Sequence, residues 1–306
     1  MIRTKSGAAT LSVASNSALI SMKLAAGAIT GSIAIITEAL HSAIDLMASV
    51  VALISVRKAD EPADAEHPYG HERVENLAAA IEGMLIIVGA GVIVYEATRR
   101  LADGESGMLS DLGIGIAVIA FSAVVNVIVA LFLRRRAREL ESAALAGDAA
   151  HLGTDAVTSL GVLLGLALVE ITGEQAFDSI AALGVAAAIA VAGIRILARS
   201  GRVLVDEAPA EDLDRIEAVI AAQRGSAPEV AGYHKLRARR SGAHLRVDLH
   251  LQFREGTSLE RAHSRAHALR DAIEAEYPHS EVLIHLEPAE SWREPASLAD
   301  DPGRAG

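Results

Sequence analysis

The fold is decided by residues 8–56, which read AATLSVASNSALISMKLAAGAITGSIAIITEALHSAIDLMASVVALISV. Three charged side chains interrupt this stretch, and they are Lys23, Glu38 and Asp45. Because one membrane-crossing helix needs about 20 mostly apolar residues, the stretch is long enough for two crossings. Gly27 and Gly31 predict the break between the two helices. This stretch therefore predicts a helical membrane protein.

Four further apolar runs follow this stretch. They are Leu77–Tyr95, Leu109–Leu133, Ala149–Val169 and Phe177–Leu197. Each is long enough for one crossing, whereas no comparable run follows Arg202. The first apolar segment is too long for a cleavable signal and lacks a convincing small-residue cleavage site. We expect a bundle of six transmembrane helices followed by a water-soluble domain.

Composition excludes several classes of protein. Hydrophobic residues make up 51% of the chain and charged residues 22%. This composition is too apolar for a disordered chain. The chain has no Cys, so it has neither a disulfide scaffold nor a thiolate metal site. A net charge of −11 argues against nucleic acid as a partner.

Basic residues predict the orientation of the chain in the membrane. Most of those near the predicted helix ends fall on one side: Arg3, Lys5, Arg57, Lys58, Arg73, Arg134, Arg135, Arg136, Arg138, Arg199 and Arg202. The opposite side has Arg99 and Arg100, which disagree with the rest. Since cytoplasmic loops carry the excess of Lys and Arg, we place both termini in the cytoplasm.

The last third of the chain has the pattern of a small α+β domain. Helices are predicted at Glu211–Gln223 and Ser258–Tyr277, and strands at Glu229–Arg239, Ala243–Phe253 and Glu281–Glu287. Thr257, with Glu260 three residues later, is the predicted cap of the second helix. The order is α-β-β-α-β, as in ferredoxin-like or metallochaperone-like domains. We expect a six-helix transmembrane domain at 1–204, the cytoplasmic domain at 205–288 and a flexible tail at 289–306.

Ionisable groups inside the predicted membrane helices point to a metal site. The second helix carries His41 and Asp45, and the fifth carries His151 and Asp155. Residues four apart lie on one helix face, so the two pairs can converge as two imidazoles and two carboxylates. Such a tetrahedral set suits Zn²⁺ without sulfur ligands. A single pair could equally form an interhelical hydrogen bond, but its recurrence favours metal.

Other polar residues allow more than one interpretation. Glu38 and Asp148 each precede a candidate ligand by three residues, either orienting the imidazoles or lying at helix ends in a water-filled vestibule. In the loop after the second helix, Asp64, His67 and His71 could form a solvent-accessible site, with a turn at Pro68–Gly70. The alternative is a solvated acidic loop with incidental histidines.

The six predicted helices, the His-x-x-x-Asp pairs in the second and fifth, the His-Pro-Tyr-Gly-His loop and the α-β-β-α-β domain carry a family resemblance. In these features the chain resembles the cation diffusion facilitators, a family of exporters of zinc and related divalent metals. The resemblance covers nearly the whole chain and implies that His41, Asp45, His151 and Asp155 form the transport site, with a loop site at Asp64, His67 and His71. It also implies a homodimer in which each protomer alternates between inward- and outward-facing states with proton antiport. We expect the protein in the bacterial inner membrane, with both termini in the cytoplasm. The expected partners are a second copy, membrane lipid, divalent cations and protons.

The resemblance extends to the soluble domain. It implies a salt bridge between Arg73 and Asp206, together with metal ligands on the strands and the nearby helix. Those candidate ligands are His234, His250, His263, His285 and Glu287. Histidines that hold no metal would be polar surface groups, as we expect for His244 and His279.

The leading hypothesis is a secondary active transporter, not an enzyme, that exports Zn²⁺ from the cytoplasm. The same fold could instead carry Fe²⁺, Co²⁺, Cd²⁺ or Mn²⁺, although two His ligands disfavour Mn²⁺. An intramembrane metalloenzyme would need an open coordination position, which four protein ligands do not leave. A metal sensor would not need six crossings.

Overall fold

The computed structural model describes residues 4–30, 33–103, 112–172, 176–225 and 227–289. The chain divides into two compact units, Met1–Val205 and Asp206–Gly306. Apart from its first residue, the tail predicted at 289–306 lies outside the described residues.

The described part of the first unit contains six long helices, α1 to α6. Their bounds are Lys5–Thr30, Ile33–Ala59, Arg73–Asp103, Leu112–Glu139, Ala143–Thr172 and Ala176–Leu204. Over the described residues, the stretch 8–56 lies on α1 and α2, and each of the four later apolar runs lies on one of α3 to α6. Several helices extend past the apolar run into charged residues, as α4 does at Arg136 and Arg138.

Two stretches of the described helices are long and apolar enough to cross a membrane by length and composition. They are Arg73–Arg99 in α3 and Ser179–Leu204 in α6. Over their described residues, the other four helices do not meet this criterion. For them, membrane crossing remains a prediction.

Helices α3 and α6 approach each other backbone to backbone. A Cβ atom at Gly83 would lie 3.0 Å from the Leu197 nitrogen, and one at Gly193 would lie 3.0 Å from the Gly83 oxygen. Small residues at such crossings let helices gain close van der Waals contact in an apolar surround. Alanine is similarly abundant among the buried residues that pack α1, α2, α4 and α5 together.

The second unit contains two helices and a three-stranded sheet in the predicted order. They are α7 (Ala210–Gly225), β1 (Val230–Ser241), β2 (His244–Phe253), α8 (Leu259–Glu276) and β3 (Ser280–Pro288). The central strand β2 pairs with β1 antiparallel and with β3 parallel. The parallel pairing is possible because α8 provides the crossover between β2 and β3.

Strand β2 positions the two faces of the sheet. Its alternating residues from Leu245 to Phe253 are at most 5% exposed and belong to the core of the unit. The intervening residues, His250 among them, lie on the other face, as the period of two requires. The polar face is therefore free to carry histidines.

The predicted cap of α8 was wrong by one residue. Ser258, not Thr257, is the N-cap, and its hydroxyl accepts a hydrogen bond from the Arg261 backbone N–H. The Thr257 hydroxyl instead donates to the Arg254 carbonyl in the preceding turn. Both residue types suit a cap, so the sequence alone does not distinguish them.

The close approach of α3 and α6 predicts a position-specific cost. Gly193→Ala should destabilise the protein by about 1–3 kcal/mol, because the new methyl group meets Ile87 and the α3 backbone. Gly184→Ala is the matched control on the same helix, since nothing lies within 4 Å of a Cβ there. It gains up to about 1 kcal/mol of helix propensity. Thermal unfolding in detergent should show a lower midpoint for Gly193→Ala alone. Equal midpoints would contradict this packing.

Candidate metal sites

Three of the predicted ligands converge between α2 and α5. The His151 Nε2 atom lies 3.2 Å from the Asp45 Oδ1 atom. One ligand atom from each of Asp45, His151 and Asp155 lies within 4.8 Å of the others. Asp45 and His151 are buried, and Asp155 is half-buried. Two carboxylates and an imidazole at these distances could hold one divalent cation.

The fourth predicted ligand, His41, lies on α2 one turn before Asp45. Its side chain is outside the described part of the structure, as is that of Glu38. The i,i+4 spacing puts His41 on the helix face of Asp45. His41 therefore stays a prediction as the fourth ligand.

Asp148 is fixed by a hydrogen-bond network that joins three helices. The Ser49 hydroxyl of α2 donates to Asp148 Oδ1 of α5 at 2.8 Å. Ser49 also accepts a hydrogen bond from Asn16 of α1 and shares one with Ser12. The network thus holds Asp148 in place on α5, one turn before His151.

The loop residues Asp64, His67 and His71 also come together. Asp64 Oδ1 accepts the His67 backbone N–H at 2.6 Å, while its Oδ2 lies 3.3 Å from His71 Nε2. The two imidazole centroids are 4.5 Å apart. Gly70 makes this turn possible, since its φ of +83° is one that other residues rarely adopt.

The charge of the loop favours the binding of a cation. The His67 backbone N–H holds the pKa of the Asp64 carboxyl below its ordinary value. Asp64 is therefore ionised near neutral pH. Its oxygens and the two imidazoles could hold a cation.

In the second unit, sheet register places three histidines in one row. His234 pairs with His250 across β1 and β2, and His250 pairs with His285 across β2 and β3. Glu287 lies two residues beyond His285 on the same face of β3. His234, His250 and Glu287 form a third compact group of nitrogen and oxygen donors.

Glu287 is the centre of that group. Its two oxygens accept hydrogen bonds from His234 Nε2 at 2.7 Å and His250 Nδ1 at 2.6 Å. His285 lies further away, with 3.6 Å between its Nε2 atom and the carboxylate. Desolvation alone would raise the pKa of Glu287, but the bonds from the two imidazoles lower it below its ordinary value. The carboxylate is therefore ionised at neutral pH.

His263 is not part of this group in the described chain. Its Nε2 atom lies 2.9 Å from Nε2 of His267, one turn later on the exposed face of α8. His244 and His279, predicted to be surface groups, lie beside each other with ring centroids 5.7 Å apart.

The salt bridge expected between Arg73 and Asp206 would join residues of different units and stays a prediction. Within the second unit, Asp206 Oδ2 accepts a hydrogen bond from Arg239 Nη1 at 3.1 Å. Arg239 is a partner of Asp206 that sequence reasoning did not identify.

Two buried carboxylates of α3 were also missed. Glu75 is 1% exposed, lies 2.7 Å from the Lys5 ammonium group and accepts the Ser142 hydroxyl. Glu82, two turns later, is fully buried. The signal for Glu82 was present in the sequence, because it is an ionisable residue inside the apolar run Leu77–Tyr95.

Comparison with known proteins gives matches along nearly the whole chain. Residues 9–205 match the cation efflux transmembrane domain, and residues 208–289 match the cation efflux protein cytoplasmic domain. The uncharacterized transporter sll1263 of Synechocystis sp. is 33% identical over 94% of this chain and 92% of its own length. The cation-efflux pump FieF of Salmonella schwarzengrund is 32% identical over 94% of this chain and 93% of its own.

A solved structure of CzrB in its Zn form is 28% identical. It covers 28% of this chain and 94% of its own, with a TM-score of 0.26.

The position of Glu287 between two imidazoles predicts its contribution to metal affinity. Glu287→Gln should weaken Zn²⁺ binding to the second unit by at least about tenfold, because even outer partners of ligands contribute that much. Glu281→Gln is the control, since that exposed carboxylate of β3 pairs with Arg246 instead. Calorimetric titration of the full chain measures both. Equal Zn²⁺ isotherms for the two variants would show that Glu287 is not a ligand.

Proposed function

Since the chain belongs to the cation diffusion facilitator family of metal cation efflux transporters, we propose that it exports Zn²⁺ from the cytoplasm in exchange for protons. The observation that carries the proposal is the convergence of Asp45, His151 and Asp155 between α2 and α5. Membership of a transporter family agrees with the expectation that the chain is not an enzyme.

In this proposal all six helices of the first unit cross the membrane. The second unit then lies in the cytoplasm with both termini, in agreement with the bias of basic residues toward that side. Two copies associate through the second unit, which matches a domain described as cytoplasmic. The membrane is the bacterial inner membrane, as the bacterial relatives support.

The donor set supports Zn²⁺ as the main cargo. With His41 as the fourth ligand, the site offers two imidazole nitrogens and two carboxylate oxygens. This borderline set fits tetrahedral Zn²⁺ better than Mn²⁺, which prefers oxygen alone. Fe²⁺, Co²⁺ and Cd²⁺ are the alternative cargoes of the same site.

The charges of the site support proton exchange as part of the proposal. A divalent ion that leaves it would strand the two carboxylates in a buried, apolar place, at a large cost in free energy. Protons can replace the ion, because imidazole and carboxylate each bind either a proton or a metal. His151 and His41 are the first candidates to carry them, with Asp45 and Asp155 assisting.

The other two groups take different parts in the proposal. In the loop group Asp64 and His67 are exposed and His71 is buried, and the group would bind metal near the cytoplasmic entrance. The group at His234, His250 and Glu287 joins three strands, so metal there would stabilise the second unit. His285 and His263 would add to it in the dimer. Arg73 and Asp206 would hold the two units together.

Removal of one transport ligand tests the site. Asp155→Ala should abolish Zn²⁺ transport while the protein still inserts and dimerises, because the remaining ligands hold Zn²⁺ far more weakly. Thr158→Ala, on the same helix, should transport normally, since that hydroxyl donates to the Thr154 carbonyl. Uptake into proteoliposomes at low Zn²⁺ concentration measures both. Undiminished uptake by Asp155→Ala would refute the assignment.

Coupling to protons requires a separate experiment. In sealed vesicles that contain a pH dye, Zn²⁺ uptake should move protons in the opposite direction. A pH gradient alone should drive Zn²⁺ uphill, and a panel of Fe²⁺, Co²⁺, Cd²⁺ and Mn²⁺ gives the ion preference. Strictly downhill transport without counter-movement of protons would make the protein a uniporter.

A further inference from the structure

Glu82 is a fully buried carboxyl group in the middle of the helical unit. It lies on α3, and its Oε2 atom is so close to α5 that it would lie 1.9 Å from a Cβ atom at Gly147. The absence of a side chain at Gly147 is what admits the carboxyl group. Glu82 therefore lies against the backbone of α5 beside Asp148.

Neither carboxyl oxygen of Glu82 has a hydrogen-bond partner among the described residues. Glu75 on the same helix shows the contrast, because it is almost as deeply buried but is bound by Lys5 and Ser142. A charged carboxylate without a partner in such a place is far less stable than a neutral acid. Glu82 must therefore be balanced by a bound proton or cation.

Asp148 shares part of this environment. It is also fully buried, and the described residues offer no hydrogen-bond partner to its Oδ2 atom. Its Oδ1 atom accepts the hydrogen bond from Ser49, which lies one turn after Asp45 on α2. Two buried carboxyl groups thus lie side by side, one of them linked through Ser49 to the helix that carries a transport ligand.

In the described part of the chain neither acid is paired with a Lys or Arg, and the positive charge that acts on Asp148 is that of protonated His151. Among the described residues, Asp148 is the charged group that interacts with Glu82. Opposite this part of α3, helix α6 presents Gly193 and Leu197. Arg195 and Arg199 of α6 are exposed. From α2, Asp45 faces His151 instead. Two adjacent buried carboxyl groups cannot both be ionised without a large cost, so at least one holds a proton.

We propose that Glu82 and Asp148 form a proton-binding pair that contributes to the proton exchange of the transporter. The proposal rests on the function proposed above and adds a proton site separate from the metal ligands. When Zn²⁺ enters the transport site, its positive charge favours ionisation of the pair. The carboxyl O–H bond then breaks, and water on the side from which the metal entered accepts the proton. When Zn²⁺ leaves, the pair takes up a proton from the opposite side.

The test compares Glu82→Gln with the wild type and with a matched control. Glutamine has nearly the same shape as glutamate but cannot ionise, so the space beside Gly147 remains filled. Glu96→Gln makes the same chemical change at a half-buried position near the other end of α3. All three full-length proteins are purified in detergent and reconstituted into vesicles.

The first readout is proton release when Zn²⁺ binds in weakly buffered detergent solution. Wild type and Glu96→Gln should release the same number of protons, and Glu82→Gln should release fewer. The second readout is the infrared difference spectrum between metal-free and Zn²⁺-loaded protein. The carbonyl band of a protonated carboxyl group should disappear on loading in the wild type, and this loss should be smaller in Glu82→Gln.

The third readout is transport. Glu82→Gln should still take up Zn²⁺ downhill, but should accumulate less of it against a gradient. If one proton fewer is exchanged per ion, the limiting accumulation at a pH difference of one unit falls about tenfold. Proton release and accumulation equal to those of the wild type would overturn the proposal. So would a wild-type infrared difference without a protonated carboxyl band, a result that needs no variant to fold.

The outcomes separate this proposal from the proposed function. If the wild type binds Zn²⁺ but transports none, the proposed function fails, while proton release and the infrared band still test the pair. If the wild type exchanges Zn²⁺ for protons and Glu82→Gln does so identically, the proposed function stands and the pair is refuted.

Discussion

The helical unit depends on one constraint, which is the cost of burying ionisable groups between apolar helices. Asp45 and His151 meet this constraint by facing each other, 3.2 Å apart, across α2 and α5. Asp148 accepts a hydrogen bond from Ser49, and Glu75 forms an ion pair with Lys5. Each solution ties two helices together, so the polar contacts that suit a cation also fix the packing of the bundle.

The constraint also explains the small residues around these contacts. Close helix packing excludes water, and without water a buried acid needs a partner inside the protein or a bound proton. Gly83 and Gly193 bring α3 against α6, and Gly147 leaves room for Glu82. These glycines thus help to determine which polar groups lie in an apolar environment.

Sequence patterns predicted the parts of the structure that depend on local spacing. The alternation along β2 gave its buried face, and the spacing of four placed His151 and Asp155 on one face of α5. Both patterns follow from helix and strand periods, which need no knowledge of the tertiary structure.

Contacts between distant residues could not be predicted in this way. No sequence pattern pairs Ser49 with Asp148. None pairs His234 with Glu287 either, since the two are separated by 53 positions in the chain. The position of His263 beside His267, away from the strand histidines, depends on which face α8 turns toward the sheet. The choice between Thr257 and Ser258 as a cap was decided by the geometry of the preceding turn.

The register of the three-stranded sheet has a consequence for folding. Side chains along a strand alternate between the two faces of the sheet. A slip of β1 or β3 by one residue would therefore turn the metal-donor side chain of that strand, His234 or Glu287, toward the hydrophobic core. Only the correctly paired sheet aligns His234, His250 and Glu287. A metal ion that binds all three would stabilise that pairing and none of its slipped alternatives. The ion would then act as a selector of the native strand alignment as the newly made chain folds.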